Sequence, residues 1–131
     1  MGTNYYLHTK APCSKCGRPF EAKHIGKSSG GWCFSLHVIP EEGINDLEDW
    51  QKLWSKKGAF ILDEYGDRVS ESMMMKTITE RKWLGTEVVP KQWYLSNFAE
   101  PGPNGLARYS LGHGCIKHGK GTWDCITGEF S

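Results

Sequence analysis

Hydrophobic and polar residues alternate along residues 32–39, which is the pattern of a β-strand with one buried face. The expected buried face is apolar and consists of Trp32, Phe34, Leu36 and Val38. The opposite face carries Cys33, Ser35, His37 and Ile39. Shorter β-prone stretches at residues 3–9, 59–62 and 122–126 predict three further strands. Residues 24–31 hold three Gly and two Ser, and this composition predicts a loop.

The pattern changes to a helical period after residue 45. Apolar side chains recur three and four positions apart and form one stripe, made of Leu47, Trp50, Leu53 and Trp54. Asn45 is the expected N-cap, Glu48 would complete a capping box, and Gly58 would end this helix.

A second helix is predicted from about Glu71 to Trp83. Its expected N-cap is Ser70 or Ser72, and its expected buried residues are Met74 and Ile78. Residues 90–106 contain three Pro and two Gly, which predicts a long loop. Together the elements predict an α+β fold with a small antiparallel sheet and two helices.

The segment Cys13-Ser14-Lys15-Cys16-Gly17 has the spacing of a zinc-binding turn, in which two thiolates flank a tight bend. The other two ligands are expected to be His24 and His37, with Cys33, and less so His8, as alternatives. Four protein ligands leave no position for water, so this zinc-ribbon-like N-terminal site would hold one structural Zn²⁺ and would not catalyse a reaction.

The length and composition of the chain limit its number of domains and its cellular compartment. A chain of 131 residues predicts one domain, residues 1–131, with a zinc-binding segment at 13–37 and a loop-rich C-terminal portion at 86–131. Five cysteines cannot all pair as disulfides, and no apolar run suggests a leader or a membrane span. We therefore expect a soluble cytoplasmic protein with no membrane partner. A net charge of +1 does not indicate nucleic-acid binding.

The run Gly26-Lys27-Ser28-Ser29 resembles part of a phosphate-binding loop, but position 21 is Glu where the full motif requires Gly. Two interpretations are open, a plain connecting loop and a surface that binds a partner or an anion. The binding residues would be Lys27, Ser28, Ser29 and Trp32.

The C-terminal part also holds residues that could bind a metal ion or take part in catalysis. A second metal site could use His113, Cys115, His118 and Cys125, and an acid–base set could use His118, Asp124 and Glu129. The simpler interpretation is a glycine-rich hairpin packed by Trp123 and Phe130. His118, Trp123 and Asp124 are further candidates for binding a ligand or partner.

Several segments are similar to a family of small, zinc-ribbon-like proteins of tailed bacteriophages. The similar segments are residues 1–6, 13–16, 24–32, 49–50, 63–66 and 118–131. The family has no assigned activity, so the resemblance implies a phage origin and little chemistry. It also implies variation at Cys33 and at His37.

The resemblance and the closed zinc site together predict a non-enzymatic phage accessory protein in the cytoplasm of the host cell. Its partner would be a host or phage protein, in a role such as counter-defence or host takeover. One alternative is a metal-dependent hydrolase or nuclease that uses the C-terminal His/Asp/Glu set. Another is a protein that sequesters a phosphate-containing small molecule, and nucleic acid is a further possible partner.

Overall fold

A computed structural model describes residues 2–9, 22–82, 91–112 and 114–128. These residues form nine strands: β1 Gly2–Thr9, β2 Lys23–Ser29, β3 Phe34–His37, β4 Ala59–Asp63, β5 Arg68–Val69, β6 Ala99–Pro101, β7 Ala107–Tyr109, β8 Cys115–His118 and β9 Trp123–Ile126. They also form three α-helices: α1 Leu47–Trp54, α2 Glu71–Thr79 and α3 Lys91–Ser96. The predicted α+β class is confirmed.

The main sheet has seven strands in the order β5-β4-β1-β2-β3-β9-β8, and β6 and β7 form a separate two-stranded sheet. Every pair in the main sheet is antiparallel except β3 and β9, which run parallel. The expected small antiparallel sheet is therefore larger than predicted and contains one parallel pair. The last strand returns after a long connection to lie beside β3, and a parallel pair needs such a crossover.

Helices α1 and α2 supply the apolar side chains that cover one face of this sheet. The buried core from the strands comprises Leu7, Ile25, Phe34, Leu36, Ile61 and Cys125. The helices add Leu47, Trp50, Trp54, Met74 and Ile78. The predicted apolar stripes of both helices are thus largely confirmed, and the Trp50 indole also donates a hydrogen bond to the His37 carbonyl at 2.8 Å.

The predicted helix ends are partly wrong. The N-cap of α1 is Asp46 and not Asn45, and the capping box is completed by Asp49 and not Glu48. The Asp49 carboxylate accepts hydrogen bonds from the backbone N–H groups of Asn45 and Asp46, which fixes the start of the helix one residue later. Helix α1 ends at Trp54, before Gly58.

Helix α2 begins after Ser70, whose hydroxyl accepts a hydrogen bond from the Met73 N–H, so this predicted cap is confirmed. The helix ends at Thr79, earlier than expected. Trp83 lies outside the described residues.

Two predicted loops are wrong. Residues 23–29 are strand β2, paired with β1 on one side and with β3 on the other. The glycine at position 26 allows close contact, because a Cβ there would lie 2.2 Å from the Ser35 carbonyl oxygen and 2.5 Å from the Phe34 ring. The long loop expected at residues 90–106 contains α3 and β6, and β7 follows directly.

Trp32 lies outside the core face on which it was expected. It forms an isolated bridge with Ala107, and its ring stacks on Tyr109 with centroids 4.7 Å apart. Its ring centroid also lies 5.4 Å from that of Trp93 in α3, so Trp32 packs with the two-stranded sheet and α3 and not with the core. Among the described residues, no helix is long and apolar enough to cross a membrane.

Candidate metal centres

The sheet face opposite the core collects polar and titratable side chains. Alternation along each strand places core residues on one face and their neighbours on the other. The neighbours on this second face include Asn4, Tyr6, His8, His24, Ser35, His37 and Asp124. We refer to it as the polar face.

A β-bulge brings His24 to the polar face. Tyr5 pairs with Gly26 and Tyr6 pairs with His24, so Ile25 is an extra residue in β2. Ile25 is buried in the core, and His24 therefore lies on the other side of the strand. Its ring centroid is 5.4 Å from that of Tyr6 and 5.3 Å from that of His37.

Hydrogen bonds orient both histidines. The Nδ1–H of His37 donates to the backbone carbonyl of His24 at 3.0 Å, which places the lone pair of His37 on Nε2. The Nε2 of His24 is 2.8 Å from Oδ1 of Asn4. Burial, followed by the nearby His37, lowers the pKa of His24 to about 4. The ring is neutral at pH 7, as a metal ligand must be.

The predicted cysteine ligands Cys13 and Cys16 lie outside the described residues. The chain leaves β1 at Thr9 and returns to β2 at Lys23, next to His24. Thr9 and Lys23, the described residues nearest to the two cysteines in the sequence, lie at the ends of β1 and β2 close to His24.

The two alternative ligands have other surroundings. Cys33 precedes β3 and His37 ends it, about 13 Å further along the strand, so these two side chains are not neighbours. A Cβ on Gly102 would lie 3.3 Å from the Cys33 sulfur, so the thiol contacts the segment after β6. His8 stacks on Phe60 with ring centroids 5.4 Å apart.

A second bulge, in β8, builds another cluster of possible ligands. Cys115 pairs with Ile126 and His118 with Asp124, while Lys117 pairs with Cys125, so Ile116 is the extra residue. Residues three apart in a regular strand point to opposite faces, but the bulge puts Cys115 and His118 on the same face. One potential ligand atom from each of Cys115, His118 and Asp124 lies within 4.8 Å of the other two.

Strand β7 holds this cluster in place. The Arg108 guanidinium donates from Nε to Oδ1 of Asp124 at 2.9 Å, and the Tyr109 N–H donates to Oδ2 at 3.1 Å. The Nε2–H of His118 donates to the Tyr109 carbonyl at 2.9 Å. Asp124 and Cys115 are almost fully buried. Burial, followed by the Asp124 charge, raises the pKa of the Cys115 thiol to about 11.

Other C-terminal candidates do not join the cluster. Cys125 faces the core and lies 3.7 Å from Oδ1 of Asp46, so its expected role beside Cys115 as a metal ligand is wrong. The Trp123 indole donates to the same Asp46 oxygen at 3.1 Å. His113, Glu129 and Phe130 lie outside the described residues.

A half-buried arginine, Arg81, contacts three of the four residues predicted to bind a partner or an anion, namely Ser28, Ser29 and Trp32. Arg81 donates to the Ser28 hydroxyl at 2.7 Å, and to the carbonyls of Ser29 at 2.6 Å and Trp32 at 3.0 Å. The backbone of Lys27 is in the ladder between β1 and β3. That these four residues bind a partner or an anion stays a prediction.

Sequence reasoning missed the contribution of Asn4, Arg108 and both bulges. The proximity of Asp124 to Cys115 had no sequence signal, because it depends on the pairing of β8 with β9. Comparison with known proteins adds no further identification, since no family model, curated protein or solved structure matches the chain.

Proposed function

We propose that the protein is a non-enzymatic binding protein whose fold is stabilised by one Zn²⁺ held by Cys13, Cys16, His24 and His37. The observation that carries the proposal is the contact of the two histidine rings on the polar face, with centroids 5.3 Å apart. Residues 13 positions apart in the sequence meet there because β2 and β3 are paired and β2 is bulged.

The hydrogen bonds of the two rings support this role. Zinc-binding histidines usually donate their second N–H to a carbonyl or carboxylate, and His37 donates Nδ1–H to a backbone carbonyl in this way. At His24 the corresponding partner is the side-chain oxygen of Asn4, 2.8 Å from Nε2. Four protein ligands would close the site, and the metal would stabilise the N-terminal half of the sheet.

A protein partner is supported by the surface of the C-terminal portion. Four apolar side chains there are half or more exposed, namely Leu95, Phe98, Leu111 and Ile116. Exposed apolar side chains are typical of a protein interaction site where they form one continuous patch. The partner would be a host or phage protein, as the resemblance to phage proteins implies.

The proposal is tested by zinc content and thermal stability. His37→Ala and Cys16→Ser should each lose about one zinc per chain and melt at a lower temperature, because the closed site loses a ligand. The matched control is His8→Ala, since His8 lies on the same face but stacks on Phe60. Equal zinc content in His37→Ala, Cys16→Ser and the parent protein would contradict the proposal.

A second candidate function is metal-dependent hydrolysis, and the proximity of Cys115, His118 and Asp124 is the observation that favours it. We expect His118→Ala to leave the cellular effect of the protein intact. A metal-dependent hydrolytic activity that His118→Ala abolishes at unchanged melting temperature would favour the enzyme instead.

A further inference from the structure

We propose that Cys115, His118 and Asp124 form a second metal site, which binds a zinc-class divalent cation through a thiolate, an imidazole and a carboxylate. This site is separate from the proposed site at His24 and His37, and it differs from the four-residue set that the sequence suggested. Asp124 takes the place of Cys125, which faces the core.

The distances are close to those of a bound metal. Zinc lies about 2.0–2.3 Å from its nitrogen, oxygen and sulfur ligands, so ligand atoms in a tetrahedral site are about 3.3–3.8 Å apart. The three atoms here lie within 4.8 Å of one another. Side-chain movements of about 1 Å would therefore complete the site.

Strand β8 is irregular between Cys115 and His118, the two ligands that it supplies to the proposed site. The extra residue Ile116 interrupts the ladder between β8 and β9, and its side chain is half exposed. If the strand were regular over residues 115–118, Cys115 and His118 would point to opposite faces. Bulges of this kind often occur beside functional sites, where they redirect a side chain.

Neighbouring groups fix the orientation of the ligands. Because Nε2 of His118 donates to the Tyr109 carbonyl, the lone pair of the ring is on Nδ1, the atom that would bind the metal. Glu100 places a carboxylate oxygen 3.6 Å from the same Nε2. Such outer contacts to carbonyls and carboxylates are typical of metal-binding histidines.

The ion pair of Asp124 with Arg108 explains only part of the cluster. It accounts for one buried carboxylate, but it needs neither the Cys115 thiol nor the His118 ring beside it. Asp124 also keeps unshared electron pairs, since each carboxylate oxygen accepts one of the two hydrogen bonds described here and has capacity for more.

Three protein ligands would leave one coordination position for water or a ligand atom. Asp124 and Cys115 are 1% and 2% exposed, whereas the side chain of His118 is 24% exposed. The metal would therefore be reached from the side of His118 and Glu100.

The test is a titration of metal-free, reduced protein with Co²⁺. Binding is monitored by the absorption band of the metal–thiolate bond. The parent protein should bind one more equivalent of Co²⁺ than Cys115→Ala or His118→Ala. If a variant still binds this equivalent, its affinity should be at least about tenfold lower than that of the parent. The matched control is Cys125→Ala, which removes a buried thiol on the opposite face and should bind as the parent does.

Equal binding by the parent, Cys115→Ala and His118→Ala would overturn the second site. His118→Ala decides the matter if Cys115→Ala does not fold, because His118 is partly exposed. Loss of an equivalent in Cys16→Ser, with no loss in His118→Ala, would overturn only this inference. Loss in His118→Ala, with none in Cys16→Ser, would overturn only the proposed structural zinc.

Discussion

At the scale of single residues, Gly26 matters most for the central strands. The carbonyl of Ser35 and the ring of Phe34 occupy the space that a side chain would need. The sequence could show the glycine but not this contact, because glycine is also common in loops. For that reason the segment was expected to be a loop, although it is paired on both sides.

Gly26→Ala should lower the free energy of unfolding by about 2 kcal/mol or more, since β2 and β3 must move apart to fit one methyl group. Urea unfolding measures this loss. The matched control is Gly30→Ala, because a Cβ at that position meets no atom within 4 Å. Similar unfolding curves for the two variants would show that the two strands do not approach each other so closely.

At the scale of elements, the start of α1 depends on Asp46. Its carboxylate accepts hydrogen bonds from the Leu47 N–H at 2.7 Å and from the Trp123 indole, and it forms an ion pair with Lys117 at 3.1 Å. Burial alone would raise the pKa of Asp46, but these contacts hold it below its ordinary value of 3.8. One residue thus caps a helix and ties it to β8 and β9.

Asp46→Ala should cost about 1–2 kcal/mol at pH 7, whereas Asn45→Ala should cost much less, because Asn45 is not the cap. The lowered pKa means that the charged form is favoured in the folded protein. Its contribution is present above pH 3.8 and is lost as the pH falls through the lower folded pKa.

Unfolding experiments at pH 7 and well below pH 3.8 check this dependence. The difference between the parent and Asp46→Ala should become smaller at the lower pH. A larger loss in Asn45→Ala than in Asp46→Ala would instead assign the cap to Asn45.

Hydrophobic periodicity and capping residues, which are local in the sequence, predicted the two long helices. The stripe of Leu47, Trp50 and Trp54 identified α1, and Ser70 identified the start of α2. A bulge has no such pattern, because it changes the face of a residue through pairing with another strand. The side of the sheet on which His24 and His118 lie could therefore not be read from the sequence.

At the scale of the whole molecule, the α+β class could be predicted but the sheet order could not. The parallel pairing of β3 with β9 joins residues about 90 positions apart in the chain. The small β6–β7 sheet is likewise held by distant contacts, the ion pair of Arg108 with Asp124 and the stacking of Tyr109 on Trp32. Proline and glycine dominate the local sequence there, which explains the wrong prediction of a loop.

On the polar face, two bulges bring together the side chains that we propose as metal ligands, at two places. His37 and Cys115 both flank Ile126 across neighbouring strands, so the Cα atoms of these two residues lie about 10 Å apart. The proposed N-terminal site would stabilise the fold, and the second would keep an open coordination position.

The most direct test is the number of zinc ions per folded chain, measured by native mass spectrometry after purification with zinc present. The account predicts two zinc ions in the parent protein and one in His118→Ala. A folded parent protein that binds no zinc would contradict both sites.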